Sequence, residues 1–395
     1  MFRKILFWTH LVCGVTAGLV VLMMSATGVL LTYERQMLAW ADRSLHAEPT
    51  PGAVRQPIEA LVAGAKLHSP DFAPAAVAVA NNPAAPLVVS AGRAGTLYVN
   101  PYTGEVSAPR SERLRSFFEA MTGWHRWFNA AGDSRRPARA ITGASNLMFL
   151  FLIISGMYLW LPRMWKWGAF KTRLLFNPKV ESAKARDFNW HHVFGIWSAF
   201  PLAVVVATAT VFSYPWANDL VYRSVREEPP ARGRGPGGPG GSGTGRDTVQ
   251  TSQIATAGKP LSFDELIARA AQHAGDWRAI TLTLPVDASA TTVRLGIDRG
   301  NGGQPQFRGN LTLDAYSGEV TAWQPFSSQS TGQRARSWIR FLHTGEALGV
   351  LGQTVAGIVS LTSVLMVWTG LALAYRRLIV PLLTRHAAAR RASTV

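Results

Sequence analysis

Cysteine is nearly absent from this sequence, and acidic residues are scarce. The single thiol, Cys13, lies inside an apolar run. No disulfide framework is therefore available, and no Cys-x-x-Cys-His motif exists to attach haem covalently. Aspartate and glutamate total 23 against 40 lysines and arginines, and only 16% of residues are charged. The cores of the long apolar segments hold no Asp or Glu, with Glu34 and Glu346 standing at their edges. Ion and solute transport commonly uses intramembrane carboxylates or broken helices, which disfavours a transporter. No Gly-x-Gly-x-x-Gly follows a strand and opens a helix, so a nicotinamide or flavin module of that kind is excluded. The glycine-rich "ARGRGPGGPGGSGTGRD" lacks both a leading strand and a following Gly-Lys-Ser/Thr, so it is not a phosphate loop. No triad or carboxylate pair points to nucleophilic or acid–base chemistry.

Apolar residues are abundant: 48% of the 395 residues are hydrophobic, including 14 Trp and 18 Phe. A bilayer core of roughly 30 Å needs about 20 helical residues. Four segments meet this: Ile5–Leu31, Ala138–Leu161, Trp190–Tyr214 and Ala347–Tyr375. The first is too long for a signal peptide and lacks a cleavage site. The net charge of +17 does not point to nucleic acid, because its distribution is that of a topology signal. Arg3 and Lys4 precede the first span. Arg163, Lys166, Lys171, Arg173, Lys179, Lys184 and Arg186 fill the short loop between the second and third. Arg376, Arg377, Arg385, Arg390 and Arg391 follow the fourth. The positive-inside rule then places both termini in the cytoplasm and the two long connections outside.

The chain repeats itself. "WTHLVCG" parallels "NWHHVFG", which sets His10 opposite His191, each four residues before a glycine, Gly14 or Gly195. Seventeen residues beyond each histidine stands a threonine, Thr27 or Thr208. "PIEALVAGAKLHSP" parallels "SFDELIARAAQHAG", and "LYVNPYTGEV" parallels "LTLDAYSGEV". "WHRWF" before "LFLIISGMYLWLPR" parallels "FLHTG" before "VLMVWTGLALAYRR", which pairs His125 with His343. Each half thus reads as helix, outer domain, histidine, helix. The outer domains read as a short helix followed by strands joined at Gly-containing turns. The expected fold is an all-α four-helix transmembrane bundle carrying two α+β outer domains with a two-fold internal repeat. Its segments are helix 1 over 1–33, an outer domain over 34–115, an interfacial helix over 111–130 and helix 2 over 138–161. A basic cytoplasmic loop over 162–188 and helix 3 over 189–215 follow. The second outer domain covers 216–330, with a flexible Gly/Pro-rich insertion at 230–246. An interfacial helix over 331–345, helix 4 over 346–375 and a basic tail over 376–395 complete the chain.

Four of the nine histidines combine repeat symmetry with a place at a membrane helix. His10 and His191 fall at the cytoplasmic ends of helices 1 and 3, and His125 and His343 fall at the outer ends of helices 2 and 4. His125 shares an apolar stripe with Leu114, Phe118, Met121 and Phe128, so it points inward. A lone interfacial histidine usually bonds a carbonyl or water. Two symmetric pairs instead match the two axial imidazoles that haem iron accepts. Zinc would be short of ligands. His10 with His191, and His125 with His343, are therefore the expected axial ligand pairs, one haem near each face. His192 competes with His191 as the inner ligand; a helix turns about 100° per residue, so both cannot face one iron, and the glycine alignment favours His191, with His192 as a neighbour at the surface. His68 and His273 end soluble helices in C-terminal roles, and His46 and His386 belong to a loop and the tail. Arg126, Arg139 and Arg340 are candidates for haem propionates or an anionic chelate, or for lipid headgroups.

The stretches "NWHHVFGIWSAFPL…SYPW", "SGMYLWLPR" and the two "TGE"/"SGE" turns make the chain resemble PepSY-associated transmembrane proteins, which include inner-membrane ferric-siderophore reductases. The resemblance covers nearly the whole chain apart from the glycine-rich insertion. It implies PepSY-like periplasmic domains, two b-type haems, and outward electron transfer that reduces a ferric chelate and releases Fe(II). It also implies a multi-pass protein of the bacterial inner membrane. Some related proteins carry a flavin/nicotinamide module, which this chain lacks, so the donor is a quinol or a soluble flavoprotein. The alternative is a membrane-anchored PepSY binding or inhibitory protein without redox activity, which leaves the four histidines without a role.

Overall fold

The computed structural model describes residues 1–49, 51–162, 165–230, 259–285 and 290–385. The glycine-rich insertion beyond Pro230, Arg163 of the basic loop, and His386, Arg390 and Arg391 of the tail lie outside the described residues. Eleven α-helices and eight strands are present among those described. In chain order the first half runs α1 (Phe2–Leu31), α2 (Glu34–Ala41), α3 (Ile58–His68), β1 (Ala76–Ala80), β2 (Leu87–Ser90), β3 (Thr96–Val99), β4 (Val106–Ser107), α4 (Glu112–Trp127) and α5 (Arg135–Trp160). Then follow α6 (Trp167–Leu174), α7 (Ala183–Ser213), α8 (Pro215–Ser224), α9 (Phe263–Ala274), β5 (Ala279–Thr283) and β6 (Thr292–Asp298). The chain closes with β7 (Arg308–Asp314), β8 (Val320–Pro325), α10 (Thr331–His343) and α11 (Gly349–Leu378).

These elements form two compact units: Met1–Glu34, Arg115–Ala217 and Ile339 onward make one, and Arg35–Leu114 with Asn218–Trp338 the other. The first is a helical bundle. α1, α5, α7 and α11 supply four helices long and apolar enough to cross a membrane. α1 and α7 each pack against both α5 and α11, so they stand diagonally across the bundle. Polar ties fix the packing where hydrocarbon alone is indifferent. Ser25 and Ser363 join α1 to α11 at 2.8 Å. Asn146 donates to the Val206 carbonyl and to Thr210, joining α5 to α7. Asp187 of α7 is ion-paired with Arg376 of α11 at 2.5 Å. Most lipid-length faces of these helices stay exposed, including Leu19, Trp197, Phe200, Leu351 and Trp368.

The second unit is an antiparallel sheet in the order β4-β3-β2-β1-β5-β6-β7-β8. The two outer segments expected at 34–115 and 216–330 thus contribute to one sheet, because β1 pairs with β5 from Ala76↔Thr283 to Ala80↔Ala279. The physical reason is that β1 and β5 would otherwise each expose an unpaired edge. Alternation puts Val77, Val79, Ile280, Leu282, Leu295, Ile297, Leu311 and Leu313 on the face covered by α3 and α9. Truncating one such fully buried side chain, Leu295 for example, costs about 2–5 kcal/mol.

The two covering helices cap each other. The Ile58 N–H at the start of α3 donates to Asp264 at 2.8 Å, and the Phe263 N–H at the start of α9 donates to Glu59. Similar anchors hold the starts of α4 and α10. Asp42 is buried and accepts from the Ser111 N–H at 2.8 Å, the Ser111 hydroxyl at 2.8 Å and Tyr98 at 3.0 Å. Glu227 accepts from the Ser330 hydroxyl at 2.6 Å and the Gly332 N–H at 2.9 Å. In each case a carboxylate meets the electropositive end of a helix.

Candidate functional site: two histidine pairs

α4 reaches the bundle with Phe118 buried, as its apolar spacing requires. The expected stripe ends one residue sooner than Phe128, because α4 stops at Trp127. Phe128 and Asn129 then adopt left-handed φ values of 55° and 54°. For phenylalanine that conformation is strained, by about 1–2 kcal/mol. The turn folds Asn129 back on the helix, where its N–H meets the Gly123 carbonyl at 2.9 Å. His125 therefore sits in the last turn of α4, and His343 is the last residue of α10. Their ring centroids are 6.3 Å apart.

Each imidazole is held through Nδ1 by a membrane helix other than its own. His125 Nδ1 lies 2.9 Å from the Met24 carbonyl and 3.0 Å from Thr27 of α1. His343 Nδ1 lies 2.9 Å from the Val205 carbonyl and 3.2 Å from Thr208 of α7. His191 Nδ1 lies 3.1 Å from both the Met366 carbonyl and Thr369 of α11. His10 Nδ1 meets only a hydroxyl, Ser155 of α5, at 2.8 Å. The partners fix the tautomer. A carbonyl only accepts, and each of the four hydroxyls already donates to a carbonyl four residues earlier in its own helix: Met23, Val204, Leu365 and Phe151. Nδ1 must then carry the proton, which leaves the lone pair on Nε2. Among the described residues, no protein group bonds Nε2 of any of the four.

Small residues let the rings approach. A Cβ on Gly156 would stand 3.4 Å from His10 Cε1, and one on Gly370 would stand 3.3 Å from His191 Cε1. His192 behaves differently: its Nδ1 lies 2.8 Å from the Phe188 carbonyl of its own helix, to which it donates, and its ring is tilted against Phe188 at 4.1 Å. The two pairs are well separated. Thr27 follows His10 by seventeen positions on α1, and Thr208 follows His191 by seventeen on α7, which is about 25 Å of helix.

Arginines gather at the His125/His343 end. Arg126 stacks on Trp127 at 4.6 Å and Arg135 on the same ring at 4.4 Å. Arg139 donates to the Phe212 carbonyl at 2.9 Å, and Arg340 lies 5.3 Å over Phe341. Burial, then the charges of Arg139, Arg135 and Arg340, hold the Arg126 guanidinium below its usual range. At the same end burial, and next the neighbouring His343, lower His125 to about 4, so it is neutral at neutral pH. The other two histidines with sequence-assigned roles sit as expected by position, His68 closing α3 and His273 in the last turn of α9.

Two imidazoles across one metal can be compared with this spacing. Metal–nitrogen bonds of about 2.0 Å, with each ring centre roughly 1.1 Å behind its nitrogen, set the centres about 6.2 Å apart. The 6.3 Å between the His125 and His343 ring centres is close to that spacing. Among the described residues no group of three or more His, Cys, Asp or Glu could hold a metal ion. Sequence reasoning missed Ser155 and Thr369 as partners, although "ISG" and "WTG" align in the repeat. It noticed Thr27 and Thr208 without assigning them a role.

Against curated proteins the chain has no significant match. The family described as the PepSY-associated TM region matches residues 7–377, and the chain, a membrane protein with four candidate spans and a separate antiparallel sheet, belongs to that family.

Proposed function

We propose that this protein is a b-type di-haem reductase of the bacterial inner membrane that delivers electrons to a periplasmic ferric chelate. The observation that supports this most is the fixed tautomer: four neutral imidazoles, in two pairs, each with Nδ1–H anchored and Nε2 left as a lone-pair donor. Haem bound between each pair would supply a one-electron carrier near each membrane face. The chain's own residues hold and orient. Thr27, Thr208, Ser155 and Thr369 aim the rings, and such outer partners raise ligand basicity. Arg126, Arg139 and Arg340 offer guanidinium groups to carboxylates, either propionates or an anionic chelate. The ferric substrate gains one electron from a quinol or a soluble flavoprotein. Fe(II) then binds hard oxygen ligands less tightly and leaves. In this reading both termini are cytoplasmic, as the Lys/Arg distribution implies. The eight-stranded sheet comprises two PepSY-like modules joined at β1 and β5, related by the internal repeat.

Family membership is equally consistent with a membrane-anchored PepSY binding protein. A visible spectrum and pyridine haemochrome assay of the purified protein separate the two. About two non-covalent b-type haems per chain are expected. Colourless, well-folded protein from haem-replete cells would falsify the reductase reading.

A further inference from the structure

The sheet unit holds a cavity of about 350 Å³ lined by His273, Ala274, Arg299, Trp323, Pro325 and Ser327. Small-molecule sites commonly span about 300–1,000 Å³. One wall is specifically built. Trp323 of β8 pairs with Leu311 of β7, and its benzo ring covers the bare backbone of Gly309. A Cβ on Gly309 would stand 2.3 Å from Trp323 Cη2. Gly309 is not left-handed, so the missing side chain serves the indole rather than a turn. His273 meets the indole edge-on at 5.0 Å. The polar lining is rich in donors: a guanidinium, a hydroxyl and an imidazole N–H, with no carboxylate among the lining groups. Asp276 pairs with Arg299 at 3.6 Å but is 73% exposed, so its hold on that cation is weak. In the alignment of the two halves Pro109 occupies the place of Trp323, and β4 covers only Val106–Ser107. The first half therefore has no equivalent wall.

We infer that this cavity binds an aromatic anion and, resting on the ferric-chelate reading above, that the anion is a catecholate arm of the chelate. A flat ring stacks on the indole face. Ionised ring oxygens accept from Arg299 and His273 as charge-assisted hydrogen bonds. Ferric tris-catecholates are strongly anionic, whereas ferric tris-hydroxamates are neutral and carry no aromatic face.

The test is equilibrium dialysis with the oxidised full-length protein in detergent, without reductant. The probes are the ferric complex of 2,3-dihydroxybenzoate, the iron-free acid, and ferric acetohydroxamate. The ferric catecholate should bind at least tenfold more tightly than either other probe. R299Q and W323L should each weaken it at least fivefold, and G309A, which displaces the indole while keeping every donor, should do the same. Equal binding of the iron-free acid overturns the chelate assignment. Equal binding of the hydroxamate, or binding unchanged in all three variants, overturns the site. Binding is read without electron transfer, so a His125→Ala/His191→Ala double variant, which by the pairing lacks both haems, separates failure of the reductase reading from failure of this one if it still binds the ferric catecholate.

Discussion

Replacing Ser155 with alanine is the sharpest perturbation of the histidine anchors. Ser155 Oγ donates to the Phe151 carbonyl at 2.7 Å and receives the His10 Nδ1–H at 2.8 Å. His10 has no carbonyl acceptor, unlike the other three. Alanine leaves that N–H unpaired, at a cost of about 1–3 kcal/mol. At 1.4 kcal/mol per tenfold, haem affinity at the His10/His191 end should fall roughly five- to 150-fold. Thr369→Ala is the control, because His191 keeps the Met366 carbonyl at 3.1 Å. Its cost should be about 0.5–1 kcal/mol, or roughly two- to fivefold. Titrating haem into apo-protein and following the Soret band measures both. Ser155→Thr, the residue type present at 369, should restore most of the affinity. Equal losses in the two alanine variants, or no loss in Ser155→Ala, would refute the assignment of acceptors.

Three further outcomes follow from the same geometry. His10→Ala and His191→Ala should lose one haem, and His125→Ala and His343→Ala the other; haem content with redox titration would show four mild, unrelated phenotypes if the pairing is wrong. Asp42→Ala strips acceptors from the Ser111 N–H, the Ser111 hydroxyl and Tyr98, so hydrogen exchange over residues 96–112 should accelerate at least tenfold, by about 1.4 kcal/mol or more. Protection unchanged there would show the anchor to be dispensable. Gly345→Ala should abolish accumulation of folded protein in membranes, since Gly345 has φ 75° and a Cβ would stand 2.3 Å from the Gly352 carbonyl oxygen; normal yield and melting would contradict the turn.

Sequence alone determined the elements whose cause is local or periodic. The four spans follow from apolar length, α3 and α9 from their spacing, and the four histidines from the internal repeat. "YTGE" and "YSGE" form their turns because Gly104 and Gly318 supply φ values of 74° and 72°. Tertiary structure decided whatever depends on residues far apart in the chain. Ser155 meets His10 across 145 residues, and no periodicity in either helix signals that meeting. The separate outer domains became one sheet because β1 finds β5 across the chain. Glu59 and Asp264 read as ordinary first-turn acids, yet each caps the other's helix. Apolar spacing carries the stripe of α4 to Phe128, where the backbone has already turned left-handed. Periodicity records which face is apolar, whereas the direction of a lone pair on Nε2 is set by whichever neighbour accepts the proton on Nδ1, and only packing of α1, α5, α7 and α11 brings that neighbour into place.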